Sequence, residues 1–315
     1  MSPYLSNHLA DTDILDQLRN LGALVGETPL IPLNRIHDNP GVKIFAKAEW
    51  LQMGGSVKAR PAYNIIAEAI LSGKLKQNMR LLDASSGNTA IAYATFANAL
   101  GFGVTLCIPE NASPERLTFL KALGAEIVLS SKYEGTEGAQ ALARELHKQA
   151  PDRYYYADQY SNDHNWRAHY KFTGLEINQQ TRGKVTHFVA GLGTTGTFTG
   201  TGRRLKELDS KVQLIALQPE TALHGLEGWK HLETADVPRI YDDNLADEIR
   251  EVGTQEAYRV IKAAARLEGL LLSPSSAANL AGALKVAEEI DEGVIVTVFP
   301  DDASKYMEVL NQILS

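Results

Sequence analysis

The sequence lacks most features that mark secreted, membrane-spanning or nucleic-acid-binding proteins. It contains a single cysteine, Cys107, which excludes an internal disulfide and a cysteine-based zinc site. No apolar run approaches the roughly 18 residues of a transmembrane helix, and the N-terminal sequence lacks the basic and apolar regions of a secretory signal. The formal net charge of −7 disfavours binding to nucleic acid or an anionic membrane. These absences predict a cytoplasmic, acidic enzyme of metabolic type.

Short apolar runs alternate with helical patterns along most of the 315-residue chain. Strands that alternate with helices predict an α/β fold with mainly parallel sheets and right-handed crossovers. The length is sufficient for two domains of roughly 150 residues, so we predict two three-layer domains. The predicted strands are Val42–Ala46, Arg80–Ala84, Val104–Ile108, Glu126–Leu129, Thr186–Ala190, Gln213–Leu217 and Val294–Phe299.

A polar, irregular stretch near residue 160 marks the predicted division between the domains. We expect residues 1–160 to form an N-terminal domain, whose early segment of about residues 13–45 packs on the other domain, and residues 161–315 to form a C-terminal domain. Within the first domain, apolar spacing predicts a helix from Pro61 to Gly73, and Ser113-Pro114 predicts another helix start. Ligands of parallel sheets bind at the carboxyl ends of strands, so the turns after strands are the candidate sites.

The glycine- and threonine-rich turn Gly191–Thr197 follows one predicted strand and precedes a helical pattern. Glycines let the backbone approach an anion closely, and a helix N-terminus offers free N–H groups, so the turn indicates a phosphate site. Gly191, Gly193 and Gly196 also match the dinucleotide fingerprint, and Glu220 follows the next strand, where a ribose-binding acid lies. The turn alone leaves a phosphate monoester, NAD and a packing turn without ligand open.

Lys58 lies in a short segment, Gly54–Pro61, between a strand-like run and a helix. A lysine at such a turn is partly desolvated and close to a helix N-terminus. Both effects lower its pKa and make the amine a better nucleophile toward a carbonyl. A solvated lysine in a flexible loop is the alternative interpretation.

Two further polar segments open helices. Ser85–Thr89 follows the strand Arg80–Ala84, and its small polar residues predict a concavity for a carboxylate or phosphate, with an ordinary N-cap loop as the alternative. Ser273–Ala277 follows Gly269–Leu272, which we interpret as a buried strand. A serine hydroxyl there either bonds a ring nitrogen or caps the next helix.

Neither a metal site nor a reactive thiol is expected. His164 and His169 are close in sequence, but their spacing does not place both on one helix face, and no carboxylate motif completes a site. Cys107 lies inside a predicted buried strand, where a free cysteine behaves as a small apolar residue.

Five segments match, in order, the motifs of one enzyme family. Gly26–Leu30 matches a G-x-T-P-L opening, and Gly55–Lys58 matches an S-V-K lysine motif. Ser85–Thr89 matches a T/S-S-G-N-T loop, Gln159 a substrate glutamine and Gly193–Thr197 a GTGGT phosphate loop. Over residues 22 to 310 the chain thus resembles the fold-type II (tryptophan synthase β-like) pyridoxal-phosphate enzymes, most closely the B-type branch of the cysteine synthases. Several ordered motifs outweigh the NAD interpretation of one turn.

The resemblance implies a role for each matching residue. It implies that Lys58 forms the internal aldimine with pyridoxal 5′-phosphate, that Asn88 contacts the phenolic oxygen and that Ser275 meets the pyridine nitrogen. The residues implied to hold the cofactor phosphate are Gly193, Thr194, Thr195, Gly196 and Thr197, and those implied to bind the substrate α-carboxylate are Ser85, Ser86, Gly87, Thr89 and Gln159.

The implied reaction is β-replacement on an activated serine. O-acetylserine and sulfide would give cysteine and acetate through an α-aminoacrylate intermediate, with Lys58 removing the Cα proton and later returning it. A serine hydroxyl does not keep the pyridine nitrogen protonated as an aspartate does, and the weaker electron sink favours β-elimination over transamination. The resemblance also implies a homodimer whose smaller N-terminal part closes on the substrate, and it leaves a serine acetyltransferase open as a partner.

Other activities stay open at this point. Met53, Ala59 and Glu227 depart from the family pattern, so cystathionine β-synthase-like or other β-replacement reactions with a different nucleophile remain alternatives. A serine/threonine dehydratase fits the loop at Ser85–Thr89 less well. A NAD-dependent oxidoreductase gives Lys58 no purpose, and a catalytically silent protein gives no reason for the retained motifs.

Glu227 predicts a substrate preference. Phosphoserine-using relatives resemble one another in carrying arginine in this segment, whereas a carboxylate repels a phosphate dianion. We therefore expect the purified protein to form cysteine from sulfide faster with O-acetylserine than with O-phosphoserine. Faster turnover of O-phosphoserine would contradict this expectation.

Overall fold

The computed structural model describes residues 13–314, and the larger of its two sheets has six strands. These are β1 (Leu30–Leu33), β2 (Val42–Ala48), β7 (His187–Gly191), β8 (Gln213–Pro219), β9 (Glu248–Val252) and β10 (Gly293–Phe299). Their order is β1-β2-β10-β7-β8-β9, and β1 is antiparallel to β2 whereas the other neighbours are parallel. Two strands from the early chain therefore extend a sheet that is otherwise built from the C-terminal half.

The smaller sheet is entirely parallel. Its strands are β3 (Arg80–Ala84), β4 (Gly103–Pro109), β5 (Glu126–Ser130) and β6 (Tyr154–Tyr156). They lie in the order β5-β4-β3-β6. The strands are mainly parallel in both sheets, which confirms the predicted α/β fold.

Helices cover both faces of each sheet. They are α1 (Ile14–Gly22), α2 (Ala59–Leu71), α3 (Asn88–Ala99), α4 (Pro114–Ala122), α5 (Gly135–Gln149), α6 (His164–Ala168), α7 (Gly174–Gln180), α8 (Gly196–Leu208), α9 (Thr254–Leu267), α10 (Pro274–Glu289) and α11 (Met307–Leu314). One π-helical turn, residues 169–173, joins α6 to α7. Apolar cores lie on both faces of the larger sheet and on both faces of the smaller one, so each sheet is the middle of three layers.

Seven of the eight predicted strands coincide with observed strands, with ends that differ by two residues or fewer. Three observed strands were not predicted: β1, β6 and β9. β1 contains Pro32, β6 has only three residues, and β9 is a charged edge strand of sequence Glu-Ile-Arg-Glu-Val. Edge position and shortness remove the continuous apolar signal that marks a central strand.

Two local predictions need correction. The helix expected from Pro61 begins two residues earlier, at Ala59, so Lys58 itself occupies the N-cap position. The buried strand expected at Gly269–Leu272 is wrong: only Leu272 makes an isolated bridge, to Asp302. Gly269 has a left-handed φ of +69° and the Leu271 side chain is exposed, which is incompatible with a buried extended run.

The predicted domain division near residue 160 stays a prediction, as does the packing of residues 13–45 on the second domain. The sequence near Met1, in which no secretory signal was found, lies outside the described residues. Among residues 13–314, no helix is both long and apolar enough to span a bilayer.

A buried ion-pair cluster lies next to the Lys58 turn and links the N-terminal half of the chain to α7 in the C-terminal half. Arg60 of α2 donates to Glu49 from Nε at 2.6 Å and to Glu176 of α7 from Nη1 at 2.6 Å. Lys47 of β2 lies 2.5 Å from Glu176, and the Thr28 hydroxyl donates to Glu49 at 2.7 Å. Each of these side chains is nearly inaccessible to solvent, so every charge depends on its partners for solvation.

The pKa shifts in the cluster follow from this mutual dependence. Burial alone would raise the pKa of Glu176, but Arg60 and Lys47 outweigh it and lower that pKa to about 2. Burial would likewise lower the pKa of Arg60, and Glu49 and Glu176 reverse the effect. Glu176 and Arg60 therefore stay ionised at neutral pH, whereas burial lowers the pKa of Lys47 even though Glu176 and Glu49 act in the opposite direction.

Removing the Arg60 guanidinium should destabilise the folded protein strongly. In Arg60→Met, two buried carboxylates lose their main partner, and we expect the free energy of unfolding to fall by about 3–5 kcal/mol. Urea unfolding followed by circular dichroism measures this change. The matched control is Arg19→Met, which breaks an exposed pair with Asp16 and should cost less than about 1 kcal/mol. Equal losses for the two variants would contradict the assignment.

Candidate active site

A cavity of about 510 Å³ lies at the carboxyl ends of strands from both sheets. Its lining includes the Lys58 turn before α2, the Ser85–Thr89 loop after β3, the glycine-rich loop after β7 and Ser275 at the start of α10. The structure therefore brings together four segments that are far apart in sequence. Their meeting point is where parallel sheets bind ligands.

Lys58 lines the cavity as a half-buried side chain at the N-cap of α2. Burial lowers its pKa from the ordinary lysine value, although the carboxylates of Asp301 and Glu49 act in the opposite direction. Its backbone N–H donates to Ser56 Oγ at 3.3 Å. Because desolvation favours the neutral amine, Lys58 suits reaction with a carbonyl carbon and proton transfer.

The loop between β3 and α3 leaves its polar groups facing the cavity. Gly87 occupies the N-cap position of α3, and no side chain caps this helix. Ser85 Oγ accepts from the Gly87 N–H at 3.3 Å, while Thr89 Oγ1 donates to Gln159 Oε1 at 2.7 Å. The ordinary N-cap interpretation of this loop is therefore not observed. Free N–H groups at the helix start, together with the amide of Gln159, form a concavity suited to a carboxylate.

The glycine-rich loop after β7 is shaped by contacts that exclude side chains. A Cβ on Gly193 would lie 2.1 Å from the Gly228 carbonyl oxygen, and a Cβ on Gly196 would lie 2.0 Å from Asn165 Oδ1. Thr195 has a left-handed φ of +68° and forms the N-cap of α8. Its hydroxyl is buried without a hydrogen-bond partner among the described residues, and Thr195 lines the cavity, so the hydroxyl is available to a ligand bound there.

Glu220, the ribose-binding acid of the NAD interpretation, lies away from this loop. Its side chain is exposed, follows β8 and is not part of the cavity lining. The geometry therefore gives the turn an anion-binding concavity without the acidic partner that a dinucleotide site needs.

Ser275 is free of the capping role that its position also allowed. Ser273 is the N-cap of α10, and its hydroxyl accepts from the Ser276 N–H at 3.2 Å. Ser275 lines the cavity, with its Oγ 3.2 Å from Ser273 Oγ. The capping and cavity-facing functions thus fall on two different serines of the same segment.

Asn88 is held by residues that the sequence analysis did not identify. Its Nδ2 donates to Asp301 Oδ2 at 2.9 Å, and its Oδ1 accepts from Lys305 Nζ at 2.9 Å. Tyr306 donates to the same Asp301 oxygen at 2.8 Å. These three residues follow β10, so the rule that turns after strands carry the chemistry could have found them.

Glu227 has a partner that the sequence did not reveal. Arg116 of α4 forms an ion pair with its carboxylate, and both side chains line the cavity. The repulsion invoked between Glu227 and a phosphate dianion is therefore offset by an adjacent guanidinium. The preference for O-acetylserine remains a prediction, but an isolated negative charge is not its cause.

The two histidines considered above have separate surroundings. His169 is buried, and its ring nitrogens contact the hydroxyls of Thr173 at 2.9 Å and Thr197 at 3.3 Å. Within residues 13–314, no group of three His, Cys, Asp or Glu side chains is placed to hold a metal ion. Burial raises the pKa of Cys107 to about 12, which suppresses its thiolate.

The residues of the cavity fit pyridoxal phosphate. The unpartnered Thr195 hydroxyl and the free N–H groups at the start of α8 are donors suited to a phosphate. Lys58, an amine with a lowered pKa, lines the same cavity and suits an aldehyde. Ser275 and Asn88 add a hydroxyl and an amide for the polar atoms of an aromatic ring.

Comparison with known proteins gives the same result. The family model described as pyridoxal-phosphate dependent enzyme matches residues 22–301. A cysteine synthase of Aquifex aeolicus is 44% identical over 291 residues, which cover 90% of this chain and 89% of that protein. Cysteine synthase B of Escherichia coli is 37% identical over 292 residues, or 92% of this chain and 95% of that protein.

A solved structure extends the comparison to three dimensions. The crystal structure of O-acetylserine dependent cystathionine beta-synthase from Helicobacter pylori superposes with a TM-score of 0.85 at 31% sequence identity. The match covers 91% of this chain and 96% of that one. The likeness is therefore one of overall fold.

The Thr195 hydroxyl should contribute to cofactor affinity. Thr195→Val removes a donor to a charged phosphate, a hydrogen bond worth about 1.5–3 kcal/mol, so we expect the affinity for pyridoxal phosphate to fall roughly tenfold or more. Titration of the cofactor-free protein, followed by absorbance, measures the dissociation constant. The control is Thr201→Val, since Thr201 is equally buried and unpartnered on α8 but does not line the cavity. Unchanged affinity in Thr195→Val would contradict the assigned phosphate contact.

Proposed function

The chain belongs to the pyridoxal-phosphate dependent enzyme family, and we propose that it makes cysteine from O-acetylserine and sulfide, releasing acetate. The observation that carries this proposal is the convergence of Lys58, the Ser85–Thr89 loop and the glycine-rich loop on one cavity. The two cysteine synthases identified by comparison support the choice of reaction. The reaction is a β-replacement: the β-carbon of O-acetylserine loses acetate and gains the sulfur of sulfide.

The cofactor supplies an electron sink for the Cα–H bond when it is bound. We assign its phosphate to the loop of Gly193, Thr194, Thr195, Gly196 and Thr197, its ring nitrogen to Ser275 and its phenolic oxygen to Asn88. The two glycines support the phosphate assignment indirectly, because only glycine permits the tight packing of this loop against Gly228 and Asn165.

Lys58 carries the proton transfers. Its desolvated amine is available in the neutral form, so it takes the proton from the substrate Cα and returns it after sulfur has added. The Asp301 carboxylate stabilises the charged form of the amine and limits how far its pKa falls. The same nitrogen thereby acts as a base in the first half of the reaction and as an acid in the second.

The substrate carboxylate is oriented by the loop before α3. We assign it to Ser85, Ser86, Gly87, Thr89 and Gln159. The N-terminus of α3 carries free N–H groups there, and its dipole favours a negative ligand. Anchoring the carboxylate places Cα near Lys58, because both loops line one cavity.

The finer properties are inferred from family resemblance. We infer that two copies of the chain associate as a homodimer in the cytoplasm, that the division near residue 160 separates two domains, and that the N-terminal part closes when a carboxylate binds. A serine acetyltransferase is the partner class that this resemblance favours.

Reduction of the purified enzyme tests the role of Lys58. The holoenzyme should be yellow, and borohydride should remove the visible band and leave a pyridoxyl label on the peptide that contains Lys58, as read by mass spectrometry. Lys58→Ala should lack the label and lose cysteine formation by at least about a hundredfold, since proton transfer by a positioned group contributes that much. Lys305→Ala is the control, because this amine donates to Asn88 but does not line the cavity, so its removal should leave the label in place.

Labelling at another lysine would contradict the assignment. If Lys58 carries the label but the enzyme uses homocysteine faster than sulfide, the cystathionine β-synthase-like alternative would replace the proposed reaction.

A further inference from the structure

A buried carboxyl group lies directly beneath the proposed carboxylate site. Asp83, near the end of β3, is 1% exposed. Its Oδ1 accepts from the Ala84 N–H at 2.8 Å, and its Oδ2 accepts from the Gln159 N–H at 3.3 Å. These backbone groups, rather than a cation, hold the carboxyl group. It thereby joins the ends of β3 and β6, the two strands from which the site is built.

Gln159 is oriented from several directions. Its Nε2 donates to the Ala84 carbonyl oxygen at 3.3 Å, and its Oε1 accepts from Thr89 at 2.7 Å. The preceding residue, Asp158, has a left-handed φ of +46°, a conformation that aspartate adopts more readily than most residues. The Gln159 N–H that follows this turn donates to Asp83 Oδ2, so the placement of Gln159 depends on the Asp83 acceptor.

We propose that Asp83 is a positioning residue for substrate carboxylate binding, acting through Gln159 and through the main chain at Ala84. Asp83 does not line the cavity, so it works on the site without touching the substrate. The inference rests on the proposed function, because it takes the Ser85–Thr89 loop and Gln159 as the carboxylate site.

The charge of Asp83 also couples carboxylate binding to pH. Burial above all, with a contribution from Asp158, raises the pKa of Asp83 to about 7. A bound carboxylate adds negative charge nearby and favours the neutral form of Asp83. Binding should therefore take up a proton, and affinity should fall as the pH rises through about 7.

Other titratable and charged groups lie on the elements packed around Asp83. Asp158 is a second carboxyl group, and α5, which packs against β3, carries Arg144 and His147. Phenols and a thiol are contributed by the adjoining α3, β4 and β6 and by the turn after β6. Their pKa values are all raised by burial, so they stay neutral between pH 6 and 8. These groups are Tyr93, Cys107, Tyr155, Tyr156 and Tyr160.

The experiment compares wild type, Asp83→Asn and the exposed control Asp152→Asn as holoenzymes. A neutral aspartic acid still accepts hydrogen bonds at both oxygens, whereas an asparagine nitrogen accepts none, so either the Gln159 N–H or the Ala84 N–H loses its acceptor. At pH 6 we expect the KM for O-acetylserine to rise about tenfold in Asp83→Asn, with kcat within twofold of wild type. A fall in kcat with unchanged KM, or no change, would overturn the proposal.

A binding measurement separates this inference from the reaction itself. Propionate, which has no amine and no leaving group, is titrated calorimetrically at pH 6 and pH 8. Wild type and Asp152→Asn should bind it several-fold more weakly at pH 8, and Asp83→Asn should bind weakly at both. If propionate binding shows this pH dependence but the protein does not turn over O-acetylserine, only the proposed function is refuted. Turnover with pH-independent propionate affinity would refute this inference alone, and absence of both would refute both.

A second variant reports on Asp83 without removing it and decides the matter if Asp83→Asn does not fold. The Tyr93 hydroxyl makes no close hydrogen bond among the described residues, but it lies near Asp83 and favours a lower pKa of that carboxyl group, so Tyr93→Phe should move the midpoint of the pH dependence upward. Other titratable groups line the cavity, among them His224, His231 and Lys58, but none should respond to Tyr93. An unmoved midpoint would assign the pH dependence to those groups and overturn the role of Asp83.

Discussion

The burial of charge around Arg60 is the constraint on which the rest of the structure depends. A guanidinium, an ammonium and two carboxylates are removed from water at one place, and each is tolerated only because the others are there. The cluster joins β2, the turn after it, α2 and α7. It also lies two residues from Lys58, so the arrangement that satisfies these charges determines where the reactive amine stands.

The polar groups of the cavity differ from those of the Arg60 cluster, because several of them lack partners within the described part of the chain. In the cavity, polar groups are left incompletely satisfied: the Thr195 hydroxyl has no partner within the described residues, and the helix starts of α3 and α8 lack side-chain caps. Unsatisfied donors are costly in a packed interior, and a ligand with phosphate and carboxylate groups removes that cost. Two buried carboxyl groups that do not line the cavity accept hydrogen bonds from residues that do. Asp83 accepts from the Gln159 N–H, and Asp301 accepts from the Asn88 side chain.

The sequence-based analysis succeeded where the signal is local. Central strands such as Arg80–Ala84 carry continuous apolar runs, and the glycine and serine turns after strands carry their own chemistry. It failed where a neighbour decides the outcome. Glu227 was interpreted as a free negative charge because Arg116 is more than a hundred residues away in sequence. The apolar run before Ser273 was interpreted as a strand because exposure of Leu271 leaves no mark in the sequence.

The amino-acid sequence by itself determined the alternation of strands and helices, the family to which the chain belongs and the candidate lysine, because these depend on periodicity and on short motifs. Only the tertiary structure decided which serine caps α10 and which faces the cavity, and which buried acids orient Asn88 and Gln159. The physical reason is that hydrogen-bond partners and desolvation depend on distances between segments far apart in the chain. Those distances exist only once the two sheets have folded and their carboxyl ends have come together.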